Sequence, residues 1–420
     1  MKLPLELLTG AFNAAVEAAH PGRHLAPFLP ELPKGRLVVV GAGKAAAAMA
    51  VAVEAHYPLE RLEGLVVTRY GHALPTQKIE VVEAAHPVPD QEGQAATERI
   101  LALARGLGED DLLLCLISGG GSALLSSPAG LSLEAKAALT TQLLNSGADI
   151  TEMNVVRKHL SGVKGGKLAA AAAPAQVVSL ILSDVVGDDL SAIASGPTVP
   201  DASTFADALA ILEAYQIDAP DVSSYLNRGA RGEVAETPKP GDAVFRKVTN
   251  HLVASGQGSL EAAAEFLQSQ GLTAHILGNA VEGEAREVGK VHAALARQVA
   301  LYDQPFKKPC ALLSGGETTV TVKQAGRGGR NGEFALALAL ALDGLNNVYA
   351  LAADTDGIDG SENNAGAFVT PDLFERVPKA RAKALLAAND SYSFFEAAGT
   401  LFETGPTNTN VNDLRVLLVF

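Results

Sequence analysis

Two arginines stand among four glycines in one short run, Gly326 to Gly332 (GRGGRNG). Glycines let a backbone approach a ligand with no Cβ in the way. Arg327 and Arg330 offer forked donors suited to phosphate or carboxylate. An Ala/Leu helix is expected from about Glu333, and its N-terminus would add free N–H groups and a positive dipole end. The run is preceded by a short apolar strand, Ala311 to Leu313, a break at Ser314-Gly315-Gly316-Glu317, and a β-branched strand, Thr318 to Val322. The whole stretch, Pro309 to Leu340, reads as a device for holding an anion rather than as a solvated hairpin.

Related chemistry recurs along the chain. Strand Arg36 to Val40 ends at Gly41-Ala42-Gly43-Lys44 and leads into an Ala-rich helix, Ala45 to Ala55. Strand, glycine turn and helix together place an anion on a helix N-terminus. The third glycine of the dinucleotide fingerprint is missing, since position 46 is Ala, and no G-x-x-x-x-G-K-[ST] is present. Lys44 opposes the helix dipole unless an anion sits beside it. The apolar strand Asp111 to Ile117 ends in Ser118-Gly119-Gly120-Gly121-Ser122, and CLISGG (115–120) echoes CALLSGG (310–316). Two glycine turns facing one cleft are therefore expected. In Met153 to Lys167, Arg157, Ser161 and Lys164 have helical spacing on one face, a candidate phosphate contact. Asp184, Asp188 and Asp189 follow the strand Val177 to Leu182, with Ser195-Gly196-Pro197-Thr198 downstream; Asp354 and Asp356 follow the strand Val348 to Ala353. Carboxylates at strand ends suit Mg²⁺ or a general base. A calcium loop from Asp354 is rejected because Ala365 stands at its twelfth position.

The elements that must position these groups alternate between strand and helix. Further strands are expected at 65–68, 79–84, 248–254, 273–277 and 414–419, and helices at 92–107, 133–145, 259–268 and 282–301. His72 and His86 lie just past strand ends and are expected to be structural. The polar, Pro-rich stretch 200–241 reads as a domain boundary. The expectation is an α/β fold of two domains, 1–238 and 239–420, each a mainly parallel or mixed sheet flanked by helices, the first Rossmann-like. A net charge of −14 argues against a nucleic-acid binder, while local arginines still allow an anionic substrate. Two cysteines, Cys115 and Cys310, sit in apolar runs and read as buried thiols in a reducing compartment. The N-terminus reads as an amphipathic helix, not a signal peptide. Leu168 to Leu182 is interrupted by Pro174, Gln176 and Ser179, so it reads as a helix end and a strand, not a membrane span. A cytoplasmic protein is expected.

Taken in order, these residues resemble the type-2 glycerate kinase family, whose carboxy-terminal part is the MOFRL domain. The resemblance is carried by Gly41 to Lys44, Ser118 to Ala123, Asn154 to Gly166, Leu182 to Asp188, Ser195 to Thr198, Ser314 to Glu317, Gly328 to Glu333, Asp354 to Gly357 and Thr407 to Asp413. It implies ATP-dependent phosphorylation of D-glycerate, giving 2-phosphoglycerate, with Mg²⁺, at a site in the cleft between two domains. It implies catalytic roles for Lys44, Asp184 and Arg330. It implies substrate or nucleotide contacts from Gly43, Ser118, Gly119, Gly120, Gly121, Ser122, Arg157, Ser314, Gly315, Gly316, Glu317, Arg327 and Asn331, and metal contacts from Asp188, Asp354 and Asp356. The expected partners are D-glycerate and ATP, with a homodimer left open. Two rivals stand beside it: an NAD(P)H-dependent hydroxypyruvate reductase, and a non-catalytic anion-binding protein. The first would want the full glycine fingerprint and an acidic residue where Thr68-Arg69 stand. The second would usually be exported, and clustered aspartates would serve it poorly.

Overall fold

The computed structural model describes residues 3–343 and 345–420. Its first sheet is built from Leu37–Ala42 (β1), Leu62–Arg69 (β2), Glu80–Ala84 (β3), Leu112–Ile117 (β4), Gln176–Leu182 (β5) and Val248–Ala254 (β6), in the order β3-β2-β1-β4-β5-β6. β1 pairs in parallel with β2 and β4, β2 with β3, and β4 with β5. β1 and β4 are apolar and buried along their whole length, as strands covered on both faces must be. The strand order is that of a doubly wound dinucleotide-type sheet, which reverses direction between β1 and β4. The loops leaving those two strands, Gly43-Lys44 and Ser118 to Gly121, therefore leave from the switch point.

The later strands are Thr273–Gly278 (β7), Gly283–Glu284 (β8), Cys310–Gly316 (β9), Thr318–Thr319 (β10), Val348–Asp354 (β11), Gly366–Val369 (β12), Leu401–Phe402 (β13) and Asp413–Val419 (β14). Six of them form a mixed sheet in the order β13-β12-β11-β14-β9-β7, and β8 pairs with β10. β14 runs antiparallel to both β9 and β11. The helices Ala285–Tyr302 and Arg330–Leu342 pack on one core with β9, β11 and β14 residues such as Leu312, Ala350 and Leu417.

The chain divides into two compact units that are not consecutive halves. One comprises 1–23, 184–187 and 254–420; the other comprises 24–183 and 188–253. A single division at 238/239 was expected, and it differs in two ways. The N-terminal helix Pro4–Ala18 buries Leu7, Leu8 and Phe12 with Leu260, Leu267 and Val416 of the later unit. The stretch read as a linker carries two helices, Phe205–Ala214 and Pro220–Ala230, whose Phe205, Leu212 and Leu226 share a core with Met153 and Val156. Thr204 caps the first of these helices, Pro220 opens the second, and the buried Thr237 donates to Asp201 at 3.0 Å, so the stretch is not a flexible connection.

Two other expectations are corrected. The second strand of the opening stretch is only two residues long, and the helix expected across 153–167 stops at His159. Gly165 and Gly166 have φ of 58° and 79°, a left-handed backbone that cannot continue a helix. Both cysteines are buried and free, and burial pushes the Cys115 thiol up to about 12, leaving it inert at neutral pH. Among the described residues no helix is long and apolar enough to cross a membrane.

Candidate active site

In the unit built on the first sheet, β1 and β4 end side by side. The Lys44 amide donates to the Gly119 carbonyl at 2.8 Å, and the Ala45 amide donates to Ser118 Oγ at 3.0 Å. A Cβ at Gly43 would collide with Ser118, and one at Gly41 with the Leu116 carbonyl. Both glycines thus serve close packing of two loops. Ser118 thus takes the amide just before the helix Ala46–His56, and the Ala46 amide donates to the Gly43 carbonyl at 3.1 Å, so these two amides are not the open anion cradle expected from the sequence. Gly120 has φ of 80°, and a Cβ there would lie 3.1 Å from the His86 ring and 3.6 Å from Lys44 Cγ. Lys44 and His86 therefore flank the Gly120 turn. The next residues form a hydroxyl chain: Ser122 Oγ lies 2.7 Å from Ser195 Oγ, which donates to Asn154 Oδ1 at 3.1 Å. Ala194 and Ser195 have φ of 49° and 60°. Two adjacent non-glycine residues in the left-handed region carry strain of the kind that collects at working sites. Arg157 is half-buried near the end of its helix. Asp188 also has a positive φ, 56°.

The later unit holds a charged centre at the ends of β9, β11 and β14. Register explains it: Asp354, Asp413 and Gly316 stand opposite one another across three strands, so the two carboxylates share a level of the sheet. Arg330 opens the helix Arg330–Leu342 and reaches into this level. Its Nε donates to Asp413 at 2.8 and 3.1 Å, Nη2 to Asp354 at 2.7 Å, and Nη1 to Glu317 at 3.0 Å. Burial opposes the guanidinium charge, but Asp413, Asp354 and Glu317 outweigh it and hold the group above its ordinary range. Asp413 also accepts from Asn331 Nδ2 at 2.7 Å and from Arg415 Nη2 at 2.6 Å. Three donors, in four contacts, surround this carboxylate, which makes it the organiser of the centre. Asp184 joins the same unit through the segment leading into β14: Asn410 Nδ2 donates to its Oδ2 at 3.3 Å, and Asn412 donates to its backbone carbonyl.

Three sequence-derived expectations change here. The anion at the Arg330 helix is supplied by the chain itself, because Asp359 accepts from the amides of Asn331 and Gly332 at 2.9 and 2.7 Å. The two loop arginines part company: Arg327 is exposed, pairs with Glu362 at 2.8 Å and stacks on Tyr392 at 4.2 Å. The second Ser-Gly-Gly is not a turn. Ser314, Gly315 and Gly316 continue β9, and Ser314 is 2.8 Å from His292 Nε2. His292 Nδ1 faces the Val288 carbonyl at 2.9 Å, so Nδ1 carries the proton and Nε2 accepts from the serine. The echo of CLISGG misled because identical residues follow different pairings: β14 extends along 314–316, and no strand pairing includes 118–120. Asp413, Arg415 and Asp359 were not singled out. An arginine inside the apolar run DLRVLLVF was the available signal.

Asp359 yields a testable pH dependence. Burial, with repulsion from Asp413, pushes its carboxyl up to about 6, against the pull of its two amides and Arg330. A folded value above the unfolded one gives stability that is complete below the unfolded pKa near 3.9 and lost as pH rises through about 6. The stability of wild type minus that of Asp359→Asn should therefore fall between pH 4 and 7, by on the order of 1–3 kcal/mol. Urea midpoints across that range check it; a difference independent of pH would refute the assignment.

The fold and these strand-end centres define a two-unit α/β enzyme. Residues 7–227 match a domain of unknown function, DUF4147, and residues 310–413 match the MOFRL family. The chain belongs to the type-2 glycerate kinase family. It is 43% identical to a D-glycerate 2-kinase of Thermotoga maritima, over 100% of this chain and 98% of that one. It is 52% identical to an Agrobacterium vitis protein provisionally named a hydroxypyruvate reductase, over 99% of this chain and 94% of that one. The crystal structure of a Thermotoga maritima glycerate kinase matches with a TM-score of 0.87 at 42% identity, covering 99% of this chain and 100% of that one.

Proposed function

We propose that this protein transfers the γ-phosphoryl group of ATP to the 2-hydroxyl of D-glycerate, giving 2-phosphoglycerate. The observation that carries the reading is the closed glycine turn of β1. Ser118 fills the space beside Gly43 and accepts from the amide of Ala45, just before the helix, while the Ala46 amide turns back to the Gly43 carbonyl. A dinucleotide site needs that space and those amides for the pyrophosphate. What remains at the switch point is a lysine and a tight turn, which suit phosphoryl transfer, where positioning and charge neutralisation do most of the work. Lys44 would neutralise charge developing on the transferred group, and Gly119 to Ser122 would shape its surroundings. Asp184, held by Asn410, would take the hydroxyl proton, and Arg330 would fix the carboxylates around it.

Mg²⁺ is implied by such a reaction. Among the described residues no group of three or more His, Cys, Asp or Glu is placed to hold a metal ion. Mg²⁺ does not require one, since it commonly takes one or two carboxylates and completes its shell with water and phosphate oxygens. The aspartates Asp188, Asp354 and Asp356 are hard oxygen donors of that kind and fit as candidates. The ion would offset phosphate charge.

A coupled assay with D-glycerate, ATP and Mg²⁺, resolving 2- from 3-phosphoglycerate, tests the reading. Formation of 2-phosphoglycerate is expected. In that assay Asp184→Asn should lower kcat about a hundredfold, the usual scale for a positioned base, with the folded circular dichroism retained. Unchanged turnover would remove Asp184 from the mechanism. The strand order β3-β2-β1-β4-β5-β6 and the name of the Agrobacterium vitis relative favour the reductase as second reading. NADH or NADPH consumption on hydroxypyruvate, without ATP turnover, would establish it instead.

A further inference from the structure

Three basic residues, Lys136, Arg157 and Lys164, lie within electrostatic reach of one another inside the unit of the first sheet, and none forms an ion pair among the described residues. Lys164 is 1% exposed and Lys136 8%. Lys164 Nζ donates to the carbonyls of Ser122 and Leu125 at 2.7 and 3.0 Å, and Lys136 Nζ lies 3.4 Å from Ser126 Oγ. Lys164 thus spans the segment that follows the Gly119–Gly121 turn, and Lys136 meets that segment at Ser126. Arg157, half-buried, makes no ion pair or hydrogen bond with the described residues.

Several inward cations of the molecule do have a carboxylate partner, while Lys167 donates only to the carbonyls of Lys158 and Ser161. Lys158 has Asp201 at 3.4 Å, Arg286 has Glu333, Arg415 has Asp413 at 2.6 Å, and Arg330 has three carboxylates. Burial lowers the basicity of Lys136, and Arg157 lowers it further; burial, Lys136 and Arg157 do the same to Lys164. Like charges gathered in a desolvated place are destabilising until an opposite charge arrives. Lys164 bonds the Ser122 carbonyl, and the Ser122 hydroxyl leads to Ser195 and Asn154. Arg157 is its part-exposed member, and its fork suits a tetrahedral oxyanion.

We propose that Lys136, Arg157 and Lys164 form a binding site for a phosphate group. This rests on the kinase reading only for the source of that phosphate, which would be the nucleotide's phosphate chain or the phosphorylated product. The site itself is tested without turnover.

The test is tripolyphosphate binding to the full-length protein, followed by calorimetry at pH 7.5, for wild type, Arg157→Met, Arg157→Lys and Lys136→Met. Wild type should bind, and Arg157→Met and Lys136→Met should each weaken binding at least tenfold. Arg157→Lys should restore part of the affinity. Without ligand, Arg157→Met and Lys136→Met should melt no lower than wild type, because each removes a repelling charge. Displacement of tripolyphosphate by ADP would assign the site to the nucleotide, and displacement by 2-phosphoglycerate alone would assign it to the product. Absence of binding to wild type, or equal binding by wild type and Arg157→Met, would overturn the proposal. So would a lower melting temperature for both methionine variants, the mark of a structural cluster. Binding that follows the cluster in a protein without ATP turnover would uphold the site and reject the kinase reading.

Discussion

Replacing Arg330 with Met should destabilise the protein by roughly 3–5 kcal/mol, the range for removing one partner of a buried charge pair, and abolish measurable turnover. The reason is the number of charges that meet on this one side chain. Asp413 is wholly buried and Asp354 nearly so, and both lose a donor at 2.7–2.8 Å when the guanidinium goes. Arg415 continues to serve Asp413, but Asp354 then faces Asp413 with the guanidinium between them removed. Glu317, half-exposed, contributes little to the loss because solvent can take over its ion pair. Arg330→Lys should recover only part of the stability. A single ammonium on a flexible stem cannot reach three carboxylates with the geometry of a planar fork. Urea denaturation of the three proteins, read beside the coupled assay, decides the matter. A wild-type midpoint for Arg330→Met would show that the carboxylates do not depend on it.

The second large effect belongs to Lys44, and its signature is the reverse. Lys44→Met should lower kcat by roughly a thousandfold, the scale for removing a preorganised charge from a developing anion, while leaving the melting temperature within about 2 °C of wild type. The backbone that shapes the turn is held independently of the side chain: the Lys44 amide bonds Gly119 and the Ala45 amide bonds Ser118. Removing the ammonium therefore leaves the turn intact. Ser118→Ala, by contrast, takes away the buried hydroxyl that accepts from the Ala45 amide and should cost about 1 kcal/mol of stability. A Lys44→Met enzyme with normal kcat and raised KM would mean that the lysine binds ground state and transition state alike.

Much of the architecture was legible in the residues. Apolar runs marked β1, β4, β5, β9 and β11, because a strand buried on both faces has no room for polar positions. The parallel first sheet follows from those runs alternating with Ala-rich helices. Lys44 stood out because its charge opposes the helix dipole, a local property. Where the same rules failed, the cause was non-local pairing. Ser118-Gly119-Gly120 and Ser314-Gly315-Gly316 are identical in sequence, yet one is a turn and the other a strand, since β14 pairs along the second alone. The helices at 205–214 and 220–230 were hidden by prolines that sit at or outside their ends.

The sequence by itself determined the elements, the family and the presence of a charged strand-end chemistry, because periodicity, turn residues and dipole conflicts are properties of short stretches. Only the tertiary structure decided which charges meet. Arg327 and Arg330 are three positions apart, yet one is spent on a surface pair with Glu362 and the other is locked among Asp354, Asp413 and Glu317. Asp359 rather than a ligand occupies the helix start behind them. Lys136 and Lys164, far apart in the chain, converge on the segment that follows the Gly119–Gly121 turn. Charges interact through distance and burial, and both are set by packing, which no local pattern of residues records.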